Sequence, residues 1–285
     1  MRGDIQVIQR LFQSGSTQTR LNKTWQRLHD DEGVGRIIGK DISFTPREIE
    51  LLQRKVKRET GFDPLIADLS GDRMTIAQTS SNEKLSSESV FDQLITVAGR
   101  EAIPMSTGDA ITPPKSMLFV DVNTLDLSRI DSVIIIENGP IMRHWDRVDI
   151  PSECGAPLLV YRGHGRDARL VKEFTQKATA AGVMTCAFFD FDPAGLSMAA
   201  GSGASHAVLP LDWRSMTEAD PFVSRFNKRE EFAKQLSALS AITSLEDETP
   251  FTQVAKHVRD NGIAITQEHL VVHAKPLTSV KISRP

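Results

Sequence analysis

Cysteine and long apolar runs are scarce in this sequence of 285 residues. Its two cysteines, Cys154 and Cys186, have no Cys-x-x-Cys spacing and no matching pair of histidines, which excludes a disulfide framework and the common structural zinc sites. We therefore expect two buried thiols. No apolar stretch approaches the roughly 18 residues that a membrane helix needs, and the N-terminus is amphipathic rather than signal-like. These absences, with 40% hydrophobic residues, predict a folded cytoplasmic protein without membrane contact.

Charge is distributed unevenly along the chain. The first 60 residues contain 12 Lys and Arg against 8 Asp and Glu, whereas the whole chain contains 34 against 37. A basic N-terminal part on an acidic body is typical of a polyanion-binding arm. A solvated helix surface produces the same pattern, so charge alone leaves both interpretations open.

The N-terminal part has the pattern of a small helical module. Apolar residues recur at helical spacing in two early segments, and Thr45-Pro46-Arg47-Glu48 is a capping box with Pro at the first helical position. This box predicts a third helix that ends at Gly61. A short strand or wing is expected over Gly35 to Lys40. The combination predicts a winged-helix-like module.

The exposed face of that third helix is basic. It carries Arg54, Lys55 and Arg58, which we predict to contact DNA phosphates without sequence preference. The predicted module, which binds DNA or a partner, covers residues 1–110. Two loop segments, at 78–90 and 104–115, are predicted to join the module to the main domain, and they bracket a predicted helix that carries Val90, Leu94, Ile95 and Val97.

The pattern changes from Ser116 to short apolar strands separated by helices. Strands are predicted at 117–120, 133–136, 158–161, 183–189 and 206–209, and helices at 166–181, 193–200, 222–240 and 250–260. Continuous apolar strands with intervening helices predict a parallel sheet that is covered on both faces. Residues 111–285 are therefore predicted to form an α/β domain, in which catalytic groups collect at the carboxyl ends of the strands.

Three carboxylates follow predicted strands directly. Glu137 and Asn138 come after one strand, and Asp190 and Asp192 after another. Close carboxylates repel each other unless one is protonated or a cation lies between them, and Mg²⁺ or Mn²⁺ is the natural candidate. Such an ion suits phosphodiester cleavage. For Asp192, which precedes Pro193, a simple helix-capping role is a serious alternative.

The order of these elements resembles the TOPRIM domain. The segments that carry the resemblance are Leu118 to Asn123, Glu137 at a strand end, Gly163-His164-Gly165, Asp190-Phe191-Asp192-Pro193-Ala194-Gly195, and Gly201-Ser202. The version that they resemble most is found in the topoisomerase VI A subunit and meiotic break proteins. It also occurs in the nuclease subunit of SMC-type plasmid-defence systems, namely the JetD and MksG proteins of Wadjet and MksBEFG. The resemblance covers about residues 116–210.

The resemblance implies a metal-dependent DNA endonuclease. Glu137, Asp190 and Asp192 would be the catalytic, metal-binding acids, with Asn138 and Gly195 shaping the site. Topoisomerase VI A subunits cut DNA with a tyrosine in a separate helical domain, whereas this chain has one tyrosine, inside an apolar strand. Hydrolysis without a covalent tyrosyl intermediate is therefore expected.

Further residues near these acids are candidates for substrate contact. Arg162, His164 and Arg166 are predicted to grip the scissile phosphate, although a turn histidine and a solvated arginine are ordinary surface features. Glu268 resembles a late acidic residue of related nucleases and is an accessory candidate.

The resemblance also implies a setting for the protein. Its expected partners are double-stranded plasmid DNA and an SMC-type ATPase with its kleisin, close to the nucleoid. A homodimer is expected because a two-fold arrangement cuts both strands.

Two other functions remain open from the sequence. Gly163-x-Gly165-x-x-Ala168, between a strand and a helix and 22 residues before Asp190, imitates a dinucleotide-binding fingerprint. A non-catalytic adaptor that docks on DNA or an SMC complex is the other alternative.

Overall fold

Two units, residues 1–90 and 91–285, make up the chain. The computed structural model describes residues 2–66, 71–78, 82, 85, 86, 92–244 and 248–282. The division lies earlier than the boundary predicted at 110, because the larger sheet already begins at residue 94. Most of the predicted loop at 78–90, including Val90, lies outside the described residues, whereas 104–115 is irregular as predicted.

The N-terminal unit combines helices with a small antiparallel sheet. Its described elements are α1 (Arg2–Ser14), β1 (Gln18–Arg20), α2 (Lys23–Glu32), β2 (Arg36–Ile38), β3 (Asp41–Ser43), α3 (Pro46–Thr60) and α4 (Arg73–Ala77). The strands lie in the order β1-β3-β2; β2 lies within the segment 35–40 where a short strand or wing was expected, and it forms an antiparallel hairpin with β3. The core of the unit includes Trp25, whose ring centroid lies 4.8 Å from that of Phe44.

The capping box of α3 is confirmed. The Thr45 side chain accepts a hydrogen bond from the Glu48 N–H, and the Thr45 N–H donates to Glu48 Oε2 over 2.7 Å. The helix ends at Gly61, where φ is +82° and a side chain would be strained. Leu52 and Val56 lie on the buried face, so the basic residues face outward.

The C-terminal unit is an α/β structure around a seven-stranded sheet. Its strands are β4 (Leu94–Ala98), β5 (Leu118–Asp121), β6 (Ser132–Ile136), β7 (Leu158–Tyr161), β8 (Met184–Phe188), β9 (His206–Pro210) and β10 (Leu277–Lys281). Its helices are α5 (Gly139–Arg143), α6 (Arg166–Ala180), α7 (Pro193–Gly201), α8 (Pro221–Phe226), α9 (Arg229–Gln235), α10 (Ser240–Thr243), α11 (Pro250–Asp260) and α12 (Gln267–Val272). No helix of the described ranges is long and apolar enough to cross a membrane.

The sheet is mixed, which corrects the expectation of a parallel sheet throughout. Its order is β10-β9-β8-β6-β7-β4-β5, and within the described ranges the parallel pairs are β9 with β8, β8 with β6, and β6 with β7. The strands β4, β5 and β10 pair antiparallel to their neighbours. Central strands are buried on both faces and so have continuous apolar sequences, as in β6, where all five residues are buried.

The helix predicted around Leu94, Ile95 and Val97 is wrong. Residues 94–98 form β4, which lies between β5 and β7. Short apolar runs do not distinguish helix from strand by periodicity, and the β-branched Ile95, Thr96 and Val97 pack well on a pleated surface. Sheet pairing therefore decides the conformation of this segment.

The remaining core agrees with the sequence patterns. The Cys154 and Cys186 thiols are buried and free, with their Sγ atoms 3.7 Å apart. The segment predicted as helical over 222–240 is divided into α8, α9 and α10, with a 3₁₀ turn between the last two.

The loops after β6 and β8 leave the sheet at the same edge, and that edge carries the predicted site residues.

Candidate active site

The loops after β6 and β8 bring the predicted acids together. These strands are direct, parallel neighbours, with Ile136 opposite Phe188, and the Glu137 N–H donates to the Phe188 carbonyl over 3.4 Å. Glu137 follows β6 immediately, and Asp190 lies two residues beyond β8. The strand β7, which lies between β6 and β8 in the sequence, pairs with the other side of β6.

The Asp190-Phe191-Asp192 segment is held extended by a backbone bridge. The Phe191 N–H donates to the Ile265 carbonyl over 2.8 Å, and the Ile265 N–H donates back to Phe191 over 3.0 Å. The Phe191 side chain is buried in the core. Because side chains alternate in an extended segment, Asp190 and Asp192 lie on the side opposite to Phe191.

Asp192 caps α7, so the capping interpretation is confirmed. Its Oδ1 accepts the Gly195 N–H over 2.7 Å, and Pro193 occupies the first helical position. Burial raises the pKa of the Asp192 carboxyl, while the hydrogen bond from Gly195 opposes that shift. One oxygen of Asp192 is thus committed to the helix, and the Gln235 side chain also hydrogen-bonds to this carboxyl.

Gly195 is required by a close backbone approach. A Cβ atom at this position would lie 2.1 Å from the Asp190 carbonyl oxygen. No side chain fits there without moving the loop that carries Asp190 and Asp192. The glycine therefore lets α7 pack directly under this loop.

Gln267, which the sequence analysis did not identify, joins the two loops. It is fully buried; its Nε2 donates to the Phe188 carbonyl over 2.6 Å, and its Oε1 accepts the Asn138 N–H over 3.1 Å. Its own N–H donates to Asp190 Oδ1 over 2.8 Å. Nothing local in the sequence distinguishes this residue, because its partners lie about 75 to 130 residues away.

Glu268 also reaches the site. Its Oε1 accepts a hydrogen bond from Asn138 Nδ2 over 2.6 Å, so two of the predicted accessory residues contact each other. Glu268 Oε2 and Asn138 Oδ1 are buried and have no hydrogen-bond partner within the described ranges. Both are oxygen acceptors, and buried acceptors without a donor are costly.

The electrostatics of this acidic cluster, defined as Glu137, Asp190, Asp192 and Glu268, are unfavourable without a cation. Burial, together with the charges of Asp192, Glu137 and Glu268, raises the pKa of Asp190 to about 7 against the hydrogen bond from Gln267. Burial also raises the pKa of Glu137, although Arg162 opposes that effect. Desolvated carboxylates that raise one another's pKa are typical of functional sites.

The cluster is not a ready-made metal cage. Within the described ranges, no three His, Cys, Asp or Glu side chains converge closely enough to hold an ion as they stand. Mg²⁺ nevertheless keeps several waters and commonly takes only one or two protein carboxylates together with substrate phosphates. The unpartnered oxygens of Asn138 and Glu268 and the desolvated carboxylates are donors of the type that a hard cation prefers. The residues present thus supply oxygen donors of the type that Mg²⁺ or Mn²⁺ takes, although the described side chains do not bring three acidic ligands to one point.

Two of the three predicted phosphate contacts lie beside Glu137. Arg162 Nη1 is 3.9 Å from Glu137 Oε1, and its guanidinium lies over the Phe189 ring. The imidazole of His164 lowers the pKa of Glu137 electrostatically. Arg166 instead forms an ion pair with the buried carboxylate of Asp92, so part of its charge is already neutralised.

The basic face of α3 is only partly free. Lys55 Nζ lies 2.6 Å from Glu32 Oε1, and its side chain is 16% exposed. Arg54 and Arg58 are about three-quarters exposed, and they pair with Glu50 at 3.3 Å and Glu59 at 3.7 Å. Arg54 and Arg58 are therefore better placed than Lys55 to meet a polyanion.

The strand order argues against the dinucleotide interpretation. Gly163 and Gly165 do have positive φ, and α6 begins directly after them. In a dinucleotide-binding unit the strand after the helix lies next to the strand before it. Here β6 separates β7 from β8, and Asp190 accepts from Gln267 within the acidic cluster.

The C-terminal unit thus belongs to the α/β proteins that gather polar groups at the carboxyl ends of parallel strands. Residues 92–279, about two thirds of the chain, match the family described as a domain of unknown function (DUF7281), and the chain belongs to that family. The matched region contains all four members of the acidic cluster. Comparison with curated proteins finds no match.

Proposed function

We propose that this protein is a metal-dependent DNA endonuclease of the TOPRIM type, with Mg²⁺ or Mn²⁺ held by Glu137, Asp190 and Asp192. The observation that supports it best is the meeting of carboxylates from distant parts of the sequence at the ends of the adjacent strands β6 and β8. The order of these strands and of the glycine-rich turn between them agrees with the sequence resemblance.

The chemistry of the site suits phosphodiester hydrolysis. A bound divalent cation polarises a phosphoryl oxygen and stabilises the leaving oxygen. Hydrolysis forms a bond between the oxygen of water and phosphorus and breaks one ester P–O bond. In this proposal Glu137 accepts a proton from the attacking water, while Arg162 and His164 face the phosphate.

Tyr161 is not the nucleophile in this proposal. It is the last residue of β7, and its side chain packs against Gly139, where an added Cβ would lie 3.3 Å from the Tyr161 hydroxyl oxygen. A tyrosine in the sheet lacks the separate helical domain that carries the nucleophile in topoisomerase VI A subunits. Hydrolysis therefore proceeds without a covalent intermediate and without religation.

The N-terminal unit acts in this proposal as a winged-helix-like module that binds DNA or a partner. Its helices, its β2–β3 hairpin and the exposed Arg54 and Arg58 support that role. An SMC-type ATPase complex that delivers plasmid DNA, and a homodimer that cuts both strands, are proposed on the resemblance alone.

Plasmid cleavage tests the proposal directly. Purified protein is incubated with supercoiled plasmid in Mg²⁺, Mn²⁺ or EDTA, beside Asp190→Asn, Tyr161→Phe and Asp131→Asn. The Asn at position 190 keeps an oxygen for the Gln267 N–H but removes the charge, and Asp131 is an exposed aspartate that serves as a matched control. We expect metal-dependent nicking or linearisation of the plasmid by the wild type. Tyr161→Phe and Asp131→Asn should retain this cleavage, and Asp190→Asn should lose it.

Other outcomes distinguish the alternatives. Loss of cleavage in Tyr161→Phe, with a covalent protein–DNA product in the wild type, contradicts hydrolysis. DNA binding without cleavage, in every metal and also with an SMC complex added, contradicts the nuclease and favours the adaptor.

A further inference from the structure

A cavity lies between α6 and α7, next to the acidic cluster. Its volume is about 220 Å³, and its apolar lining includes Ile135 of β6, Val171 of α6, Phe189 and Met198 of α7. Pockets for drug-sized ligands are typically about 300 Å³ or larger. This cavity therefore suits one ring-sized group rather than a dinucleotide.

Two cationic side chains line the same cavity. Arg162 connects it to the cluster, because its guanidinium lies 3.9 Å from Glu137 and 5.9 Å from the centre of the Phe189 ring. Lys172, an exposed residue of α6, also lines the cavity. An apolar floor with an aromatic ring and two cations matches a flat, uncharged ring that carries an anionic group.

We propose that this cavity holds one nucleotide unit of the strand to be cut. The phosphate lies between Arg162 and Lys172, and the base lies against Phe189 and Met198. This inference rests on the proposed nuclease function and extends it, since the cavity places an unpaired nucleotide directly beside Glu137. Aromatic stacking on a base is tolerant of sequence, so binding depends little on which base occupies the cavity.

Calorimetric titration in EDTA, and again in Ca²⁺, measures this binding separately from cleavage. The probes are a 5′-phosphorylated thymidine tetranucleotide, thymidine monophosphate and inorganic phosphate. The test variants are Lys172→Gln, which removes one cation, and Ala168→Leu, which fills the cavity from α6. Lys177→Gln is the matched control, because Lys177 is exposed on the same helix and does not line the cavity.

The expected result is binding of the tetranucleotide that weakens about tenfold in Lys172→Gln, is lost in Ala168→Leu and is unchanged in Lys177→Gln. If thymidine monophosphate binds in the same cavity more weakly than the tetranucleotide, the ligand is a nucleic-acid strand. If the two bind equally well, the ligand is a free nucleotide, and the proposal that the cavity holds part of a strand is overturned. If inorganic phosphate competes for the cavity as well as the nucleotide does, the base contributes nothing to binding and its placement against Phe189 and Met198 is overturned.

Two outcomes separate this inference from the nuclease itself. In the first, the wild type cleaves plasmid with metal, but Lys172→Gln and Ala168→Leu do not affect tetranucleotide binding. This result overturns the cavity proposal and leaves the proposed nuclease function standing. Cavity-dependent binding without plasmid cleavage under any condition supports the cavity and refutes the nuclease.

Discussion

Replacing Asp190 by Asn should stabilise the metal-free protein at neutral and alkaline pH. The pKa of Asp190 is about 7 in the folded protein, against 3.8 for an ordinary aspartate. Ionising this carboxyl in the folded state therefore costs up to about 4 kcal/mol, because each tenfold change in an acid dissociation constant corresponds to about 1.36 kcal/mol. Asn carries no charge and still accepts the hydrogen bond from Gln267.

The sign of the pH dependence follows from proton binding. Between pH 4 and 7 the unfolded chain has lost the Asp190 proton while the folded protein keeps it, so the free energy of unfolding falls as the pH rises. Below pH 4 both states are protonated and the destabilisation vanishes. The advantage of Asp190→Asn over the wild type should thus grow from nearly zero at pH 4 to about 4 kcal/mol at pH 8.

Urea unfolding in EDTA at several pH values measures this difference. Trp145 and Trp213 are buried in the C-terminal unit, so in a Trp25→Phe background, which removes the signal of the N-terminal unit, tryptophan fluorescence reports on its unfolding. Asp131→Asn, at an exposed position, is the control that removes a carboxylate outside the cluster. Equal stability of Asp190→Asn and wild type at pH 8, or a difference that does not vary with pH, would refute the reasoning. Added Mg²⁺ should stabilise the wild type much more than the variant.

Three further predictions concern the loops of the site and the basic helix. Gly195→Ala should destabilise the protein by about 3 kcal/mol or more in thermal unfolding, because the new Cβ would meet the Asp190 carbonyl. The control Gly201→Ala, whose Cβ would have no atom within 4 Å, should be neutral or slightly stabilising. Similar melting temperatures of the two variants would contradict this. Gln267→Leu should cost about 1–3 kcal/mol by leaving the Asn138 N–H unpaired, since the Phe188 carbonyl keeps the Glu137 N–H as a donor. Hydrogen exchange should then rise at the Asn138 amide, and unchanged protection there would show that Gln267 does not join the loops. Arg54→Gln with Arg58→Gln should lower the slope of log binding constant against log salt by about two for double-stranded DNA, and an unchanged slope would place the DNA contacts elsewhere.

Much of the fold was predictable because the patterns that specify it are local. The central strands β6 and β8 are short runs of apolar residues; the helix α6 precedes β8 and α7 follows it. The capping box at Thr45 and Glu48 fixes the start of α3 by hydrogen bonds over three residues. Such signals do not depend on the rest of the chain.

The site was predictable in part. Glu137 and Asp190 stand out in the sequence because acidic residues follow apolar strands. Gln267 does not, because it reaches the cluster only when α12 packs against the ends of β6 and β8. Glu268, on the same helix, was a candidate only through the resemblance. The capping role of Asp192 was also predictable from Pro193, and it coexists with membership of the cluster.

The sequence by itself determined the α/β class of the C-terminal unit, the main strands and helices, and the acidic residues at strand ends. Hydrophobic periodicity and helix caps act between near neighbours, so they can be identified without the fold. Only the tertiary structure decided that β6 lies next to β8, that β4 is a strand and not a helix, and that α12 closes the site. These features depend on pairing and burial between segments far apart in the chain, which no local pattern specifies.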